Sequence, residues 1–188
     1  GDKLSAYLEL AVYGTDPTKG DTDSDGLSDA WEVGRGRFSI VAGGFTWETL
    51  EEGSLDSWAR MQAMNLISNA TITKLALPRI KASSAGRIVS IGAGAAVKAG
   101  MGMGAYAASK AGVHKLTEAL AEELAGSTVT VNAILPSIID TPTNRKDMPD
   151  ADTSTWVSPA AVADVILFLA SPAARSITGA LIPVTRGG

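Results

Sequence analysis

Tyr106 and Lys110 stand four residues apart in Gly104-Ala105-Tyr106-Ala107-Ala108-Ser109-Lys110-Ala111-Gly112-Val113, at the head of a long apolar-periodic segment. On a helix, residues four apart share one face and can touch the same ligand. An ammonium beside a phenol lowers its pKa from roughly 10 toward neutrality, which makes the phenol a usable proton donor or acceptor. The spacing therefore predicts acid–base chemistry on this face.

A second constellation lies upstream. Asp21, Asp23, Asp25, Gly26, Asp29 and Glu32 occupy the first, third, fifth, sixth, ninth and twelfth positions of a calcium loop. Short carboxylates at this spacing converge on one hard cation. Gly26 permits the sharp turn, the Leu27 carbonyl offers a backbone oxygen, and Glu32 can bind through both oxygens. The competing reading is a solvated acidic loop with a helix cap. Leu4-Ser5-Ala6-Tyr7-Leu8-Glu9-Leu10 faintly echoes Leu27-Ser28-Asp29-Ala30-Trp31-Glu32-Val33, but the first copy lacks its opening carboxylates and predicts no second metal.

The elements that must position these groups can be read from the pattern. A chain of 188 residues with 45% hydrophobic content supports one domain plus a small appendage. Composition shifts near residue 37, dividing a polar, acidic segment (1–36) from an α/β domain (37–188). Strands are predicted at Phe38–Ala42, Gly86–Ile91, Thr128–Leu135 and Ala180–Val184. Helices are predicted at Leu55–Ile80, Tyr106–Ala125 and Pro159–Ala170, the last with proline in its first turn. Such alternation means right-handed βαβ units and a mostly parallel sheet. The polar stretch from Asp140 to Asp152 is predicted as a mobile loop, and His114 as a polar surface residue. The four Trp are expected to serve packing or interfaces.

The formal charge of −4 offers no basic patch, so nucleic acid is not an expected partner. No apolar run reaches the length of a membrane span, so no membrane partner is expected either. The absence of Cys removes disulfides, thiolate metal sites and Cys nucleophiles. A single His leaves little room for a His-based triad.

From Phe38 onward the chain resembles the short-chain dehydrogenase/reductase family, over a stretch that corresponds to the C-terminal portion of that family's domain. The resemblance implies Tyr106 as the acid/base and Lys110 as the residue that tunes it and grips the nicotinamide ribose. It implies Asn65, in Met64-Asn65-Leu66, as the helix residue that holds a relay water. Pro136-Ser137-Ile138-Ile139-Asp140-Thr141 resembles the family's Pro-Gly-x-x-x-Thr stretch, which implies a cofactor contact for Pro136 and Thr141. Ile40-Val41-Ala42-Gly43 resembles its Asn-Asn-Ala-Gly turn, with Gly43 beside the cofactor. NAD(P) is the implied cofactor. The acidic segment resembles a bacterial thrombospondin type 3-like calcium repeat, which implies bound calcium.

Three departures stand out. Ala93 occupies the place of the family's catalytic Ser, thirteen residues before Tyr106. The Asn side chains of the turn are replaced by Ile40 and Val41. No Gly-rich dinucleotide fingerprint precedes Phe38. The expected fold is thus an incomplete Rossmann-like parallel sheet with flanking helices, truncated at its dinucleotide-binding half and preceded by a calcium-loop segment. Three functions follow. The first is an oxidoreductase relative with residual NAD(P)-dependent carbonyl/alcohol chemistry. The second is a non-catalytic calcium-binding structural protein, and the third a hydrolase reusing the Tyr106/Lys110 pocket. An open strand edge at Ile40 and two long helices predict a homo-oligomer. The calcium repeat suggests an extracellular or periplasmic home and the reductase portion a cytoplasmic one.

Overall fold

A computed structural model describes residues 37–40 and 44–186. The calcium-loop residues Asp21, Asp23, Asp25, Leu27, Asp29 and Glu32, and the cofactor candidate Gly43, lie outside the described residues. Four parallel strands form one sheet in the order β1 (Arg37–Ile40), β2 (Arg87–Ile91), β3 (Thr130–Pro136), β4 (Leu181–Val184). Among the described residues β1 pairs on one side, with β2.

The helices follow from local signals. Ser54 caps α1 (Leu55–Met61) by accepting from the Ser57 N–H. A π turn over Gln62–Ile67 joins α1 to α2 (Ser68–Ala82), so the predicted long helix is one continuous rod with a widened turn at Asn65. Such turns are frequent at functional sites. Helix α3 spans Gly104–Glu123 and α5 spans Pro159–Ala170. In α5 the Ser158 hydroxyl caps the Ala161 N–H and Pro159 takes the first turn, where its missing N–H costs nothing.

The region predicted as a mobile loop instead contains a helix, α4 (Pro142–Asp147). Thr141 caps it by accepting from the Asn144 N–H, Pro142 begins it, and Arg145 forms a two-pronged ion pair with Asp140. A Thr-Pro pair at that position is itself a helix-start signal, outweighed in the sequence by the polar composition around it.

Alternation along the strands sends side chains to two separate cores. Ile88 and Val131 join Ala76 and Ile80 of α2, Leu120 of α3 and Leu124 at its C-cap on one face. Val89, Ile134 and Val184 meet Leu169 of α5, with Val157 and Ala174, on the other. Each fully buried side chain of this kind contributes about 1.5–3 kcal/mol. The helices thus sandwich the sheet, and the loops at the carboxyl ends of β1, β2 and β3 gather beside the start of α3.

Candidate active site

Helix α3 carries the site. Close packing of its first turns on α1 and the π turn is possible because two positions lack side chains. A Cβ on Gly112 would lie 2.5 Å from the Leu66 side chain, and one on Gly104 would lie 3.2 Å from Trp58. The small-residue face of α3 therefore sets how near Asn65 comes to it.

Asn65 is wholly buried. Its amide nitrogen donates to the Gly44 carbonyl (3.0 Å) and to the Ser109 hydroxyl (2.9 Å), and its oxygen accepts from the Gly44 N–H (3.1 Å). Ser109 in turn donates to the Tyr106 carbonyl at 2.7 Å. This chain of bonds ties the loop after β1 to the first turns of α3. Asn65 is expected to hold a relay water; its observed bonds are to the Gly44 backbone and Ser109. Ser109 has no counterpart in the sequence-derived site.

Tyr106 is half-buried, with the Phe45 ring edge-on to its own (centroids 5.0 Å apart, interplanar angle 72°). Lys110, one turn on, is 3% exposed and donates from Nζ to the Ile91 carbonyl at 2.9 Å, at the carboxyl end of β2. Burial lowers the Lys110 ammonium to about 8. Burial also raises the Tyr106 phenol above its ordinary value. That corrects the expectation of a phenol drawn toward neutrality: here desolvation of the anion governs, and Tyr106 is protonated at neutral pH.

Ala93 is buried where a hydroxyl was missed, and its backbone N–H is also engaged, donating to His114 Nε2 at 3.3 Å. Ser90, three residues earlier, accepts from Asn69 on α2 at 3.4 Å and so belongs to the core rather than to the site. His114 corrects the surface assignment: it is 4% exposed, packed under Gly92, where a Cβ would fall 2.4 Å from Nε2. Burial is the largest influence on its ring and lowers its pKa. The only signal in the sequence was its place four residues after Lys110, on the same helical face.

Pro136 ends β3 and is buried. Thr141 stands beyond it with its hydroxyl oxygen capping α4, so its contact is structural in this arrangement, while its O–H proton is left to donate. The Lys110 ammonium and the Thr141 O–H are donors of the kind that the nicotinamide–ribose end of a dinucleotide would need. A Cβ on Gly94 would approach nothing closer than the Pro136 carbonyl at 3.9 Å, which leaves the backbone past the end of β2 open on that side. Crevices outside the carboxyl ends of parallel strands are where such folds bind ligands. Among the described residues no glycine-rich turn runs directly from a strand into an α-helix to take the pyrophosphate; Gly100, Gly102 and Gly104 open α3 but follow a 3-10 turn (Gly94–Ala96) rather than a strand. Among those residues no cluster of metal-ligating side chains occurs, and no helix is long and apolar enough to cross a membrane.

The family described as enoyl-(acyl carrier protein) reductase matches residues 29–188. Similar curated proteins include a 3-oxoacyl-(acyl-carrier-protein) reductase of Thermotoga maritima, 34% identical over 141 residues, covering 70% of this chain and 57% of that protein. A D-beta-hydroxybutyrate dehydrogenase of Rhizobium meliloti is 32% identical, covering 70% and 51%. A (-)-trans-carveol dehydrogenase of Rhodococcus erythropolis is 34% identical, covering 70% and 56%. The chain spans 51–57% of the length of these relatives. Among solved structures, an NADPH-bound short chain oxidoreductase of Pseudomonas aeruginosa with an atypical catalytic center is 25% identical, with a TM-score of 0.72 over 78% of this chain and 63% of that one. With the parallel sheet, the Tyr106–Lys110 helix and a match over most of its length, the chain belongs to the short-chain dehydrogenase/reductase family.

Proposed function

We propose that this chain carries the acid–base half of an NAD(P)-dependent oxidoreductase site that interconverts carbonyls and alcohols. The observation that carries this reading is the Lys110 ammonium held on the Ile91 carbonyl one helical turn from Tyr106. Tyr106, kept protonated by burial, donates its proton to a carbonyl oxygen as negative charge develops there. Lys110 supplies the positive charge that stabilises the phenolate left behind, and grips the ribose. Asn65 and Ser109 hold the first turns of α3 against the Gly44 loop, so the phenol is oriented before substrate arrives. A nicotinamide, when bound, supplies the hydride.

Ala93 offers the substrate oxygen neither a hydroxyl nor a free N–H beside Tyr106. One donor fewer costs about 10²–10³ in rate where a preorganised pair is the norm. Phe45 lies on Tyr106 and Trp47 lies over Gly102, and both remain more than half exposed. This apolar lip favours a substrate with an apolar body. The relatives' names span acyl, hydroxybutyrate and carveol compounds, so what they share is the reaction class, not one substrate.

The test is titration with NADH and NADPH, followed by melting temperature. A shift that saturates at or below millimolar cofactor supports the reading; no shift at millimolar levels refutes it. Leu55, Ile67 and Leu75 are exposed on the α1–α2 rod, which supports self-association through the long helices. Light scattering tests this, with a monomeric mass as the contrary result.

A further inference from the structure

We propose that His114 is a positioning residue of the Tyr106–Lys110 pair, a neutral imidazole that pins the Ile91–Gly92–Ala93 turn and so sets where the Lys110 ammonium stands. The inference rests on the reading of Tyr106 and Lys110 as acid and partner. Four observations carry it. His114 lies one helical turn after Lys110 on α3 and is nearly as buried. Its Nε2 accepts from the Ala93 N–H at 3.3 Å. The Ile91 carbonyl, two residues before that N–H, receives the Lys110 ammonium at 2.9 Å. Gly92, between them, has no side chain, and any Cβ there would drive into the imidazole at 2.4 Å.

The two side chains thus grip one three-residue turn from the same helix. Lys110 holds its carbonyl and His114 holds its N–H. Gly92 itself is anchored to β3 through its N–H on the Ile134 carbonyl at 2.8 Å. The turn is thus tied to β3 at Gly92 and to α3 at both ends, by Lys110 at Ile91 and by His114 at Ala93.

The grip requires an imidazole without a proton on Nε2. An imidazolium donates from both nitrogens, which would set an N–H against the Ala93 N–H. The charged groups that act on the ring are Glu118, Lys110 and Lys115, all on α3; the turn after β2 presents Gly92 and Ala93, neither ionisable. Burial and the two lysines oppose the proton, and Glu118 favours it. Because the folded value is lowered, the unfolded chain takes up protons first. Stability from this group is present at neutral pH and falls as pH drops below the ordinary value of about 6.5.

The chain has one His, so its ring resonances are unique in a spectrum. The experiment follows the His114 ring, the Ala93 amide and the Lys110 Nζ by NMR against pH, in wild type, His114→Leu and His114→Gln. We expect the Ala93 amide to shift with the His114 titration. His114→Leu should speed Ala93 amide exchange and move the Lys110 midpoint away from about 8, and His114→Gln, which keeps an acceptor, should restore both in part. Where turnover is measurable, His114→Leu should lower kcat roughly 10–100-fold with KM little changed. An Ala93 amide and a Lys110 midpoint indifferent to both variants and to pH would overturn the proposal. A protein without turnover whose NMR responses still follow this pattern would refute the oxidoreductase reading and leave the positioning role standing.

Discussion

Replacing Lys110 with Met separates the cost of a buried charge from the worth of its hydrogen bond. Lys110 stands at about 8, down from 10.5, because burial penalises the ammonium. Holding it charged in the folded protein therefore costs about 3 kcal/mol at neutral pH. The folded value is the lower one, so between about 8 and 10.5 the unfolded chain binds more protons and stability rises with pH. Below that window the full penalty stands. Met removes the penalty but leaves the Ile91 carbonyl without this donor, a loss of about 1–3 kcal/mol. Lys110→Met should then be equal to wild type or more stable by up to about 2 kcal/mol at pH 7. The pH dependence is the sharper readout. Wild type should recover about 2 kcal/mol from this group between pH 7 and about pH 9.5, and the variant should not. Urea melts followed by tryptophan fluorescence at both pH values give the two differences. Parallel stability curves, or a variant weaker than wild type by more than about 3 kcal/mol at pH 7, would refute the assignment of a strained, charged Lys110.

Asn65→Ala strips the Gly44 N–H and carbonyl of their partner and opens a cavity at the π turn; thermal melts should show a loss of about 2–4 kcal/mol, and a loss below about 1 would contradict the clamp. Gly92→Ala forces a methyl against the His114 ring, and a destabilisation of about 1–3 kcal/mol is expected by urea denaturation, with no change counting against the packing described. The carboxylate spacing from Asp21 to Glu32 predicts a melting temperature raised by calcium and lowered by chelator, with the response lost in Asp21→Ala combined with Asp25→Ala. Identical melts with calcium and with chelator would remove the calcium reading.

Much of this fold was legible because its signals are local. The 3.6-residue period of α3 and α5, the Ser-Pro start at Ser158 and the apolar runs of β2 and β3 each follow from neighbouring residues. Tyr106 and Lys110 share a face because helix geometry requires it. Where expectation and structure part, the cause is burial or long-range contact. The Tyr106 phenol is raised rather than lowered because burial, with the Phe45 ring edge-on to it, removes water, which spacing along a helix does not report. His114 looked like a surface residue until β2 placed Gly92 beside it, and its partner lies 21 positions away. The same distance separates Asn69 from Ser90, and 44 positions separate Asn65 from Ser109. Helix α4 was hidden by polar composition, although Thr141, Pro142 and the Asp140–Arg145 pair supply its cap, start and side-chain tie.

The central claim is that Tyr106 is the proton donor of a nicotinamide-linked reaction. It is tested most directly by following NADH and NADPH consumption with a panel of apolar ketones, for wild type and for Tyr106→Phe. Cofactor-dependent turnover is expected in wild type and should fall about 10²–10⁴-fold when the phenolic O–H is removed, with cofactor binding retained. Turnover unchanged in Tyr106→Phe would contradict the claim.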